Sequence, residues 1–507
     1  MKPISGDRIH VLNEHDIDTN GDFVLYWMIA NRRIHYNPSL QHAISMSFEL
    51  KKPLIVLEAI STRHQYASDR ILTFMIQGML ENQQQFSAHD IRYIPWVSTP
   101  IQSGTGLLER ISEKAAIVVT DLFPTYHPRK VVESAKKKVK VRFEAIDGNG
   151  YLPLSIGNKA FPTAHSFRRH LHDHFIQNWE DIPLENPIPT EHALSITEEH
   201  YQEILSSSSI EPTPLEWIWR VCQGGTIGQT ALAALEIDHS VSAVKSYEGG
   251  RSSALIRLAR FMEDGLRRYH TDRNDLVRCA ASGLSPWFHF GHLSTIEVIM
   301  QILKREDWDP NMIDPSRRGS RSGWWGLPEP VESFLDQIIT WRELGFNFAH
   351  YREDHTSIES IPEWAKKSLK EHHQDPRQSY TFEQIENAET EDELWNAAQR
   401  QLMRVGIIHN YLRMVWGKRI LEWAPNAETA ADWMKYLNDK WALDGRDPNS
   451  YTGIFWVLGR HDRAWGPERP IFGKVRYMSS ANTARKLKVD GYLNRWARDA
   501  LHSNDYP

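Results

Sequence analysis

Hydrophobic and polar residues form two alternating patterns along the first 145 residues. Short runs rich in β-branched and aromatic residues recur as "RIHVLN", "FVLYWMI", "PLIVLEAI", "IRYIPWV", "AAIVVTDL" and "KVRFEAI", and amphipathic helical patterns separate them. Strands that alternate with helices are typical of a parallel sheet covered on both faces. The pattern therefore predicts an α/β domain, doubly wound around a parallel sheet, over residues 1–171.

The composition and the spacing of hydrophobic residues change after this domain. Residues 172–215 are rich in proline and serine and predict an interdomain linker with some helix inside it. From residue 216 to 507 the hydrophobic positions repeat at helical spacing, with short Gly, Pro or Asn breaks between segments. This part predicts an all-α domain.

The carboxyl ends of the predicted strands are the expected ligand-binding edge of the sheet. The loop "TDLFPTYHPRK" follows one of these strands and is a candidate wall of a cofactor site. No GxGxxG fingerprint follows a strand, so the sequence does not support an ordinary dinucleotide site.

Composition narrows the class of protein. The charged fraction of 24% and apolar fraction of 41% are typical of a globular chain, and 507 residues are too many for one core. The net charge of -6 means that any nucleic-acid surface must be local. Two cysteines cannot build a disulfide framework or a thiolate metal site, and no signal peptide or membrane span is present. We expect a cytoplasmic protein without a metal or a membrane contact.

One predicted helix, "RVGIIHNYLRMVWGKRILEW", carries unusual polar residues. Trp416 and Trp423 fall on one face, two turns apart, with Arg413 one turn earlier. An arginine in apolar surroundings requires a carboxylate, which Asp444 or Asp447 in a turn-rich segment could supply. The alternatives are a structural ion pair and a site in which the carboxylate also accepts a planar N–H ligand.

Two further segments suggest anion binding. The turn at 282–285, "SGLS", precedes a helix, so it is either a capped helix start or a phosphate site. Residues 460–488 hold eight Lys or Arg against two acids, with aromatics between them. That mixture suits phosphates and unstacked bases, and the alternative is a solvated basic face.

The ordered motifs "VLYWM", "VVTDLFP", "LSPWFHFG", "WRELGFNF", "YLRMVWGKRILEW", "LDGRDPN", "HDRAWG" and "FGKVRYM" span nearly the whole chain. With them the sequence resembles the photolyase and cryptochrome family, most closely the class II cyclobutane pyrimidine dimer (CPD) photolyases. The resemblance implies a Rossmann-like antenna domain and a helical domain that binds FAD, active in its reduced form. It also implies light-driven repair of UV-damaged DNA, with the dimer flipped out of the duplex and split by electron transfer.

The resemblance assigns roles residue by residue. The segment that binds the FAD phosphates matches Ser282, Gly283, Leu284 and Ser285, and a tyrosine that packs on the flavin matches Tyr269. Positions around the flavin ring match Arg342, Asn410, Arg413, Asn438, Asp444 and Asp447. The electron chain matches Trp416, Trp395 and Trp423, in that order outward. Lesion and DNA contacts match Arg273, Gln337, Trp341, Met414, Trp456, Arg463, Trp465 and Arg476.

Two departures from the family pattern keep the lesion type open. Gln337 stands where CPD enzymes of the family place a glutamate, and it cannot give up a proton. A glutamine there resembles the (6-4) photolyases, but those usually carry two histidines where this chain has Asn410 and Met414. Asn410 also replaces a usual glycine of class II, which suggests a divergent bacterial-type branch. A CPD enzyme remains the first hypothesis, and a (6-4) or dual-lesion enzyme and a cryptochrome-like blue-light photoreceptor are the alternatives.

The implied partners and second pigment complete the expectations. Damaged DNA is the expected partner of a chain that acts as a monomer without an obligate protein partner. The antenna domain could hold a deazaflavin, a folate or nothing, and no residue in the sequence decides between them.

Overall fold

The computed structural model describes residues 2–189 and 194–499. The N-terminal residue, part of the predicted linker (190–193) and the last residues of the predicted helical domain (500–507) lie outside the described residues.

The six predicted hydrophobic runs form one six-stranded sheet. Its strands are β1 (Ile9–Val11), β2 (Phe23–Met28), β3 (Leu54–Ile60), β4 (Arg92–Val97), β5 (Ala115–Asp121) and β6 (Arg142–Ile146), in the order β1-β6-β5-β2-β3-β4. All neighbours are parallel except β1, which runs antiparallel to β6 with Ile9 opposite Ile146. The prediction of a parallel sheet is thus correct for five strands. β1 differs because it is a three-residue edge strand, a position where mixed sheets commonly reverse direction.

Helices cover both faces of the sheet, as the alternation predicts. Five belong to the first 174 residues: α1 (Pro38–Leu50), α2 (Asp69–Ala88), α3 (Leu107–Ser112), α4 (Tyr126–Ala135) and α5 (Ala164–His174). The central strand β2 is buried along its whole length. Tyr26 and Met28 point to one hydrophobic core and Leu25 and Trp27 to the other, which explains why the strand has no polar face.

The remaining described chain is helical, with no strand after β6. Its helices are α6 (Glu198–Ser207), α7 (Leu215–Cys222), α8 (Gly225–Leu232), α9 (Arg251–Arg260), α10 (Leu266–Asp272), α11 (Ser285–Phe290), α12 (Thr295–Arg305), α13 (Glu329–Leu335), α14 (Arg342–Tyr351), α15 (Glu363–Glu371), α16 (Phe382–Glu386), α17 (Glu393–Val405), α18 (Asn410–Trp423), α19 (Ala427–Trp441), α20 (Pro448–Val457), α21 (Ser480–Lys486) and α22 (Asp490–Arg495). Short 3₁₀ turns occur at Gly6–Arg8, Leu154–Gly157, Ile176–Asp181, Pro310–Met312, Pro315–Arg317 and Ile358–Ser360.

Two π-helical turns interrupt the helical region. Phe261–Gly265 joins α9 to α10, and Asp336–Trp341 joins α13 to α14, so each pair forms one continuous rod. A π turn carries one extra residue and changes the direction of the side chains that follow. The second π turn contains Gln337 and ends at Trp341, both of which the resemblance assigns to the lesion pocket.

The sheet and the helical region share one continuous hydrophobic core. Buried polar contacts fix their relative position. Glu343 on α14 accepts the backbone N–H of Tyr151 at 2.6 Å and of Leu152 at 3.3 Å. Arg70 on α2 donates to the carbonyl oxygens of Trp441 and Met403 at 2.5 and 2.6 Å. Burial raises the pKa of Glu343 to about 7.

Candidate functional site

Helices α18 and α20 leave a stripe of accessible side chains inside the helical region. The stripe consists of Asn410, Arg413 and Met414 on α18 and of Asn449, Gly453 and Trp456 on α20. These residues are spaced three or four apart, so each set shares one helix face. A Cβ atom added to Gly453 would meet only the Cε atom of Met414, at 3.9 Å. The stripe therefore lines an open concavity beside the point where Gly417 on α18 packs against Val457 on α20.

Asp444 gives this concavity its charge. Its carboxylate accepts a hydrogen bond from Arg413 at 2.9 Å and from the Ser285 hydroxyl at 2.8 Å. Burial raises the pKa of Asp444, but the guanidinium and the two hydrogen bonds outweigh it, and the net pKa lies below the usual value. The side chains of Arg413 and Asp444 still expose 21% and 12% of their surface. The pair is ionised and remains accessible to a ligand.

The turn at 282–285 lies beside Asp444. Arg257 on α9 donates from Nε to the Ser282 carbonyl oxygen at 2.7 Å. Gly283 has a φ of +66°, and a Cβ atom there would lie 2.6 Å from the Arg257 guanidinium. Leu284 is fully buried and anchors the turn. Sequence reasoning missed Arg257, because the only signal is its helical spacing in "RSSALIRLAR".

Asn438 and Asp447 lie on the inner side of the Asp444 loop. Asn438 donates to the Ser450 hydroxyl at 3.1 Å, and Ser450 donates to the Asp444 carbonyl oxygen at 2.9 Å. Asp447 lies 3.3 Å from Nδ1 of His289, which the sequence analysis did not single out. Burial lowers the pKa of His289 although Asp447 opposes the shift.

Other predicted flavin and DNA residues lie at the edges of this group. Asn410 is exposed at the first position of α18. Arg342 donates to the Asn149 carbonyl oxygen and stacks on Phe346 at 4.2 Å, so its polar contacts reach the sheet domain. Tyr269 is buried, and Arg273 lies 5.6 Å from its ring centroid.

The three predicted electron-chain tryptophans form a ladder. Trp395 on α17 lies between the other two, stacked on Trp416 with centroids 6.5 Å apart and 5.1 Å from Trp423. The indole N–H of Trp395 donates to the Trp416 carbonyl oxygen at 3.0 Å. Trp423 is only 1% exposed and contacts the half-exposed Tyr380 at 5.2 Å. The three indoles are therefore adjacent, with Trp395 in the middle, and Trp423 does not itself reach solvent.

Two of the predicted lesion-pocket residues, Met414 and Trp456, border the concavity. Met414 and Trp456 face it from α18 and α20, and Trp341 and Gln337 are half-exposed at the π turn. Within the described residues, the Gln337 amide makes no hydrogen bond or ion pair, so it is free to contact a ligand.

A buried lysine supports one wall of the concavity. Lys418 donates to the Val457 carbonyl oxygen at 2.5 Å, and its ammonium lies 5.3 Å from the Trp456 ring. Burial lowers the pKa of Lys418 to about 7. Sequence reasoning missed this residue because a lysine in a helix is normally an exposed one.

The predicted DNA-holding residues form a basic cluster next to Trp456. The Trp465 ring contacts two guanidinium groups, that of Arg463 at 4.5 Å and that of Arg476 at 4.1 Å. Arg476 also lies 5.3 Å from Trp456. Asp462, which was not predicted, holds Arg476 through two hydrogen bonds of 2.7 and 2.9 Å. These contacts orient the cluster and join it to the pocket wall.

A second cavity, of about 370 Å³, lies at the carboxyl ends of the parallel strands. The predicted loop "TDLFPTYHPRK" forms part of its wall through Phe123, Tyr126 and His127, together with Trp27 and Trp96. The Asp121 carboxylate at the end of β5 accepts the N–H groups of residues 29–31 at 2.7 to 2.9 Å and fixes the opposite wall. The cavity is large enough for a cofactor of moderate size.

Every helix in the described ranges is too short or too polar to cross a lipid bilayer.

Comparisons with known proteins find full-length relatives. No family model matches the chain. The deoxyribodipyrimidine photo-lyase of Methanothermobacter thermautotrophicus is 32% identical over 494 residues, which cover 97% of this chain and 98% of the relative. The deoxyribodipyrimidine photo-lyase of Potorous tridactylus is 31% identical, covering 95% of this chain and 83% of the relative.

Solved structures agree on the fold. A class III photolyase from Agrobacterium tumefaciens has a TM-score of 0.60 at 15% identity and covers 94% of this chain and 86% of that one. A Sulfolobus tokodaii photolyase, solved with two FAD molecules, has a TM-score of 0.61 at 15% identity, with 94% and 90% covered.

Proposed function

This chain belongs to the deoxyribodipyrimidine photo-lyase family, and we infer that it is an enzyme of light-dependent DNA repair whose preferred lesion is the cyclobutane pyrimidine dimer. The observation that carries this proposal is the accessible Arg413–Asp444 pair, which lies in a concavity walled by Met414 and Trp456. Such a site offers both a hydrogen-bond acceptor and apolar walls to a planar ligand.

The residues present fit FAD. Asp444 can accept an N–H group of a flavin ring, and Arg413 can donate to a ring carbonyl. The turn at 282–285 offers a hydroxyl and backbone N–H groups beside Arg257, a donor set that suits phosphate. When bound, FAD supplies a light-driven source of single electrons. We propose that its reduced form is the active one.

The protein holds the flipped lesion by contact and by hydrogen bonding. Trp341, Trp456 and Met414 offer flat and thioether surfaces that offset part of the unstacking cost of a few kcal/mol. Gln337 can donate its amide N–H to a pyrimidine carbonyl. Lys418 keeps Trp456 in place from behind, because it binds the carbonyl oxygen of the next residue.

The basic cluster holds the opened duplex. Arg463 and Arg476 are presented on the faces of Trp465, and each offers a fork of N–H donors to phosphate oxygens. Arg273, on the far side of Tyr269, is a further phosphate contact.

The tryptophan ladder passes electrons through the protein. Its ring contacts of 6.5 and 5.1 Å leave no gap between Trp416, Trp395 and Trp423. Half-exposed Tyr380 continues these contacts from Trp423 to the surface.

We also propose that the 370 Å³ cavity of the sheet domain holds an antenna chromophore, a deazaflavin or a folate. The aromatic walls suit a fused heterocycle, and the polar residues at the rim include Arg63 and Lys138. We propose the domains that the sequence predicts: antenna (1–171), linker (172–215) and FAD domain (216–507). The enzyme acts on DNA in the cytoplasm as a monomer without an obligate protein partner.

The test is illumination of the reduced, FAD-containing protein with UV-irradiated oligo-dT, followed by recovery of the pyrimidine absorbance band. A parallel sample carries a defined (6-4) lesion, and both have dark controls. We expect light-dependent recovery with the CPD substrate. Recovery only with the (6-4) substrate would reverse the lesion assignment. Recovery with neither would favour a photoreceptor.

A further inference from the structure

The second part of the exposed connection between α12 and α13 is basic, whereas the first part contains Glu306, Asp307, Asp309 and Asp314. Residues 316–323, "SRRGSRSG", hereafter the arginine loop, contain Arg317, Arg318 and Arg321 and no acidic residue. All three arginines are exposed. No residue of this loop belongs to the proposed FAD site, the proposed lesion pocket or the basic cluster at Arg463.

The arginine loop is held on α5 by specific contacts. The Gly319 N–H donates to Nδ1 of His172 at 2.9 Å, and Trp324 stacks on the His172 ring at 3.8 Å with an angle of 16°. Arg318 forms a two-contact ion pair with Asp173. A Cβ atom at Gly319 would lie 2.6 Å from Cγ of Arg169, so the loop sits close to the helix. The loop therefore presents its arginines on a fixed backbone.

Four cations on this surface form no ion pair within the described chain, although Arg169 lies near Asp173 and Arg317 lies near Asp314. They are Lys159, Arg169, Arg317 and Arg321, all exposed, and no carboxylate of the described chain lies within ion-pair distance of them. By contrast, Arg318 pairs with Asp173, and the buried Arg168 pairs with Asp336. Exposed cations that are not engaged in an ion pair keep their N–H donors available to an anionic partner.

Helix α5 connects this surface to the proposed lesion pocket. Phe161 and Phe167 pack with Trp341, and Arg168 binds Asp336, the neighbour of Gln337. At the other end of the segment, His461 donates to the Pro162 carbonyl oxygen at 3.0 Å, two residues before Arg463. Helix α5 thus connects the region of the basic cluster with the arginine loop.

We propose that the arginine loop, with Arg169 and Lys159, binds the phosphate backbone of duplex DNA that flanks the lesion. This proposal rests on the function proposed above. Ala164 and Asp173 are nine residues apart on α5, about 14 Å along a helix at 1.5 Å per residue. At 3.4 Å per base pair, the loop reaches phosphates about four base pairs from those at the Arg463 cluster. The contact is to phosphates, so it adds affinity without reading the lesion.

The test compares Arg317→Ala/Arg321→Ala with the wild-type protein. Arg318 is left unchanged because its ion pair with Asp173 holds the loop. Binding of a long lesion-containing duplex is measured by fluorescence anisotropy between 50 and 200 mM salt. The matched control, Lys137→Ala/Lys140→Ala, removes two exposed cations from the unrelated surface after α4. Thermal unfolding of all three proteins checks that the fold is intact.

Each lost phosphate contact lowers the slope of log affinity against log salt by about 0.9. The slope of the loop variant should therefore be shallower than the wild-type slope by about 1.8. Over the fourfold salt range, the affinity of the wild-type protein should fall about 12-fold more than that of the variant. Damaged and undamaged duplexes should weaken by the same factor. The control should keep the wild-type slope.

A duplex truncated to three base pairs beyond the lesion should abolish the difference between the loop variant and the wild-type protein. If the loop variant keeps the wild-type slope, and the wild-type protein binds and repairs lesions, the loop proposal alone is overturned. A wild-type protein that neither binds nor repairs damaged DNA would overturn the proposed function as well.

Discussion

Asp444→Asn is the perturbation that tests most directly how the helical site is held together. The substitution keeps the size of the side chain and its ability to accept from Ser285, but removes the charge that faces Arg413. Breaking a fully buried ion pair costs about 3–5 kcal/mol. Because 21% of the Arg413 side chain is exposed, water compensates part of this loss, and we expect about 2 kcal/mol.

Urea unfolding at pH 7 measures this loss. With a slope of about 3 kcal/mol per M, the midpoint should fall by about 0.7 M. The matched control is Asp432→Asn, which removes an exposed carboxylate paired with Lys435, and its midpoint should not change measurably.

The pH dependence identifies the ion pair as the source. The pKa of folded Asp444 lies below its ordinary value of 3.8, so its stabilisation is complete above the unfolded pKa and is lost as the pH falls through the folded one. The gap between wild type and Asp444→Asn should be constant from pH 7 to about 5 and narrow below about 4. A gap that stays constant to the lowest accessible pH, or a loss no larger than in Asp432→Asn, would refute the reasoning.

Three further predictions concern the electron path, the lesion and the domain contact. Trp416→Phe should slow photoreduction, followed by flavin absorbance, while repair by chemically reduced protein is retained; equal photoreduction would remove Trp416 from the path. Gln337→Glu should raise the CPD repair yield measured by absorbance recovery, because the restored acid can share a proton; an unchanged or lower yield would show that the site compensates for the glutamine. Glu343→Gln should flatten the pH profile of stability: the raised pKa of about 7 means that wild type loses about 3 kcal/mol between pH 4.5 and 7, and an equal loss in the variant would contradict the assignment.

The sheet could be predicted because its signal is local. Each strand is a run of β-branched and aromatic residues, and the all-buried "FVLYWM" of β2 has the composition of a central parallel strand. The direction of β1 could not be predicted, because it depends on pairing with β6, more than 130 residues away.

Part of the candidate site could be predicted from the hydrophobic pattern around its residues. Arg413 in apolar surroundings required a carboxylate, and the sequence offered Asp444 and Asp447; the structure shows that Asp444 is the partner. Contacts between distant helices were outside the reach of spacing arguments. Trp395, on a different helix, separates Trp416 from Trp423, and Arg257 reaches the turn at Ser282 from α9.

The π turn at Asp336–Trp341 makes this protein sensitive to the deletion of a single residue. It inserts one residue into the rod formed by α13 and α14, and Glu343 contacts the sheet domain two residues after it. Deleting that residue would restore regular winding and turn every later side chain by about 100°. Trp341 would lose its packing against Phe161 and Phe167, and Glu343 would lose its backbone partners in the same event. The proposed lesion contact of Trp341 and the attachment of the helical region to the sheet domain therefore depend on the same helical phase, and one cannot change without the other.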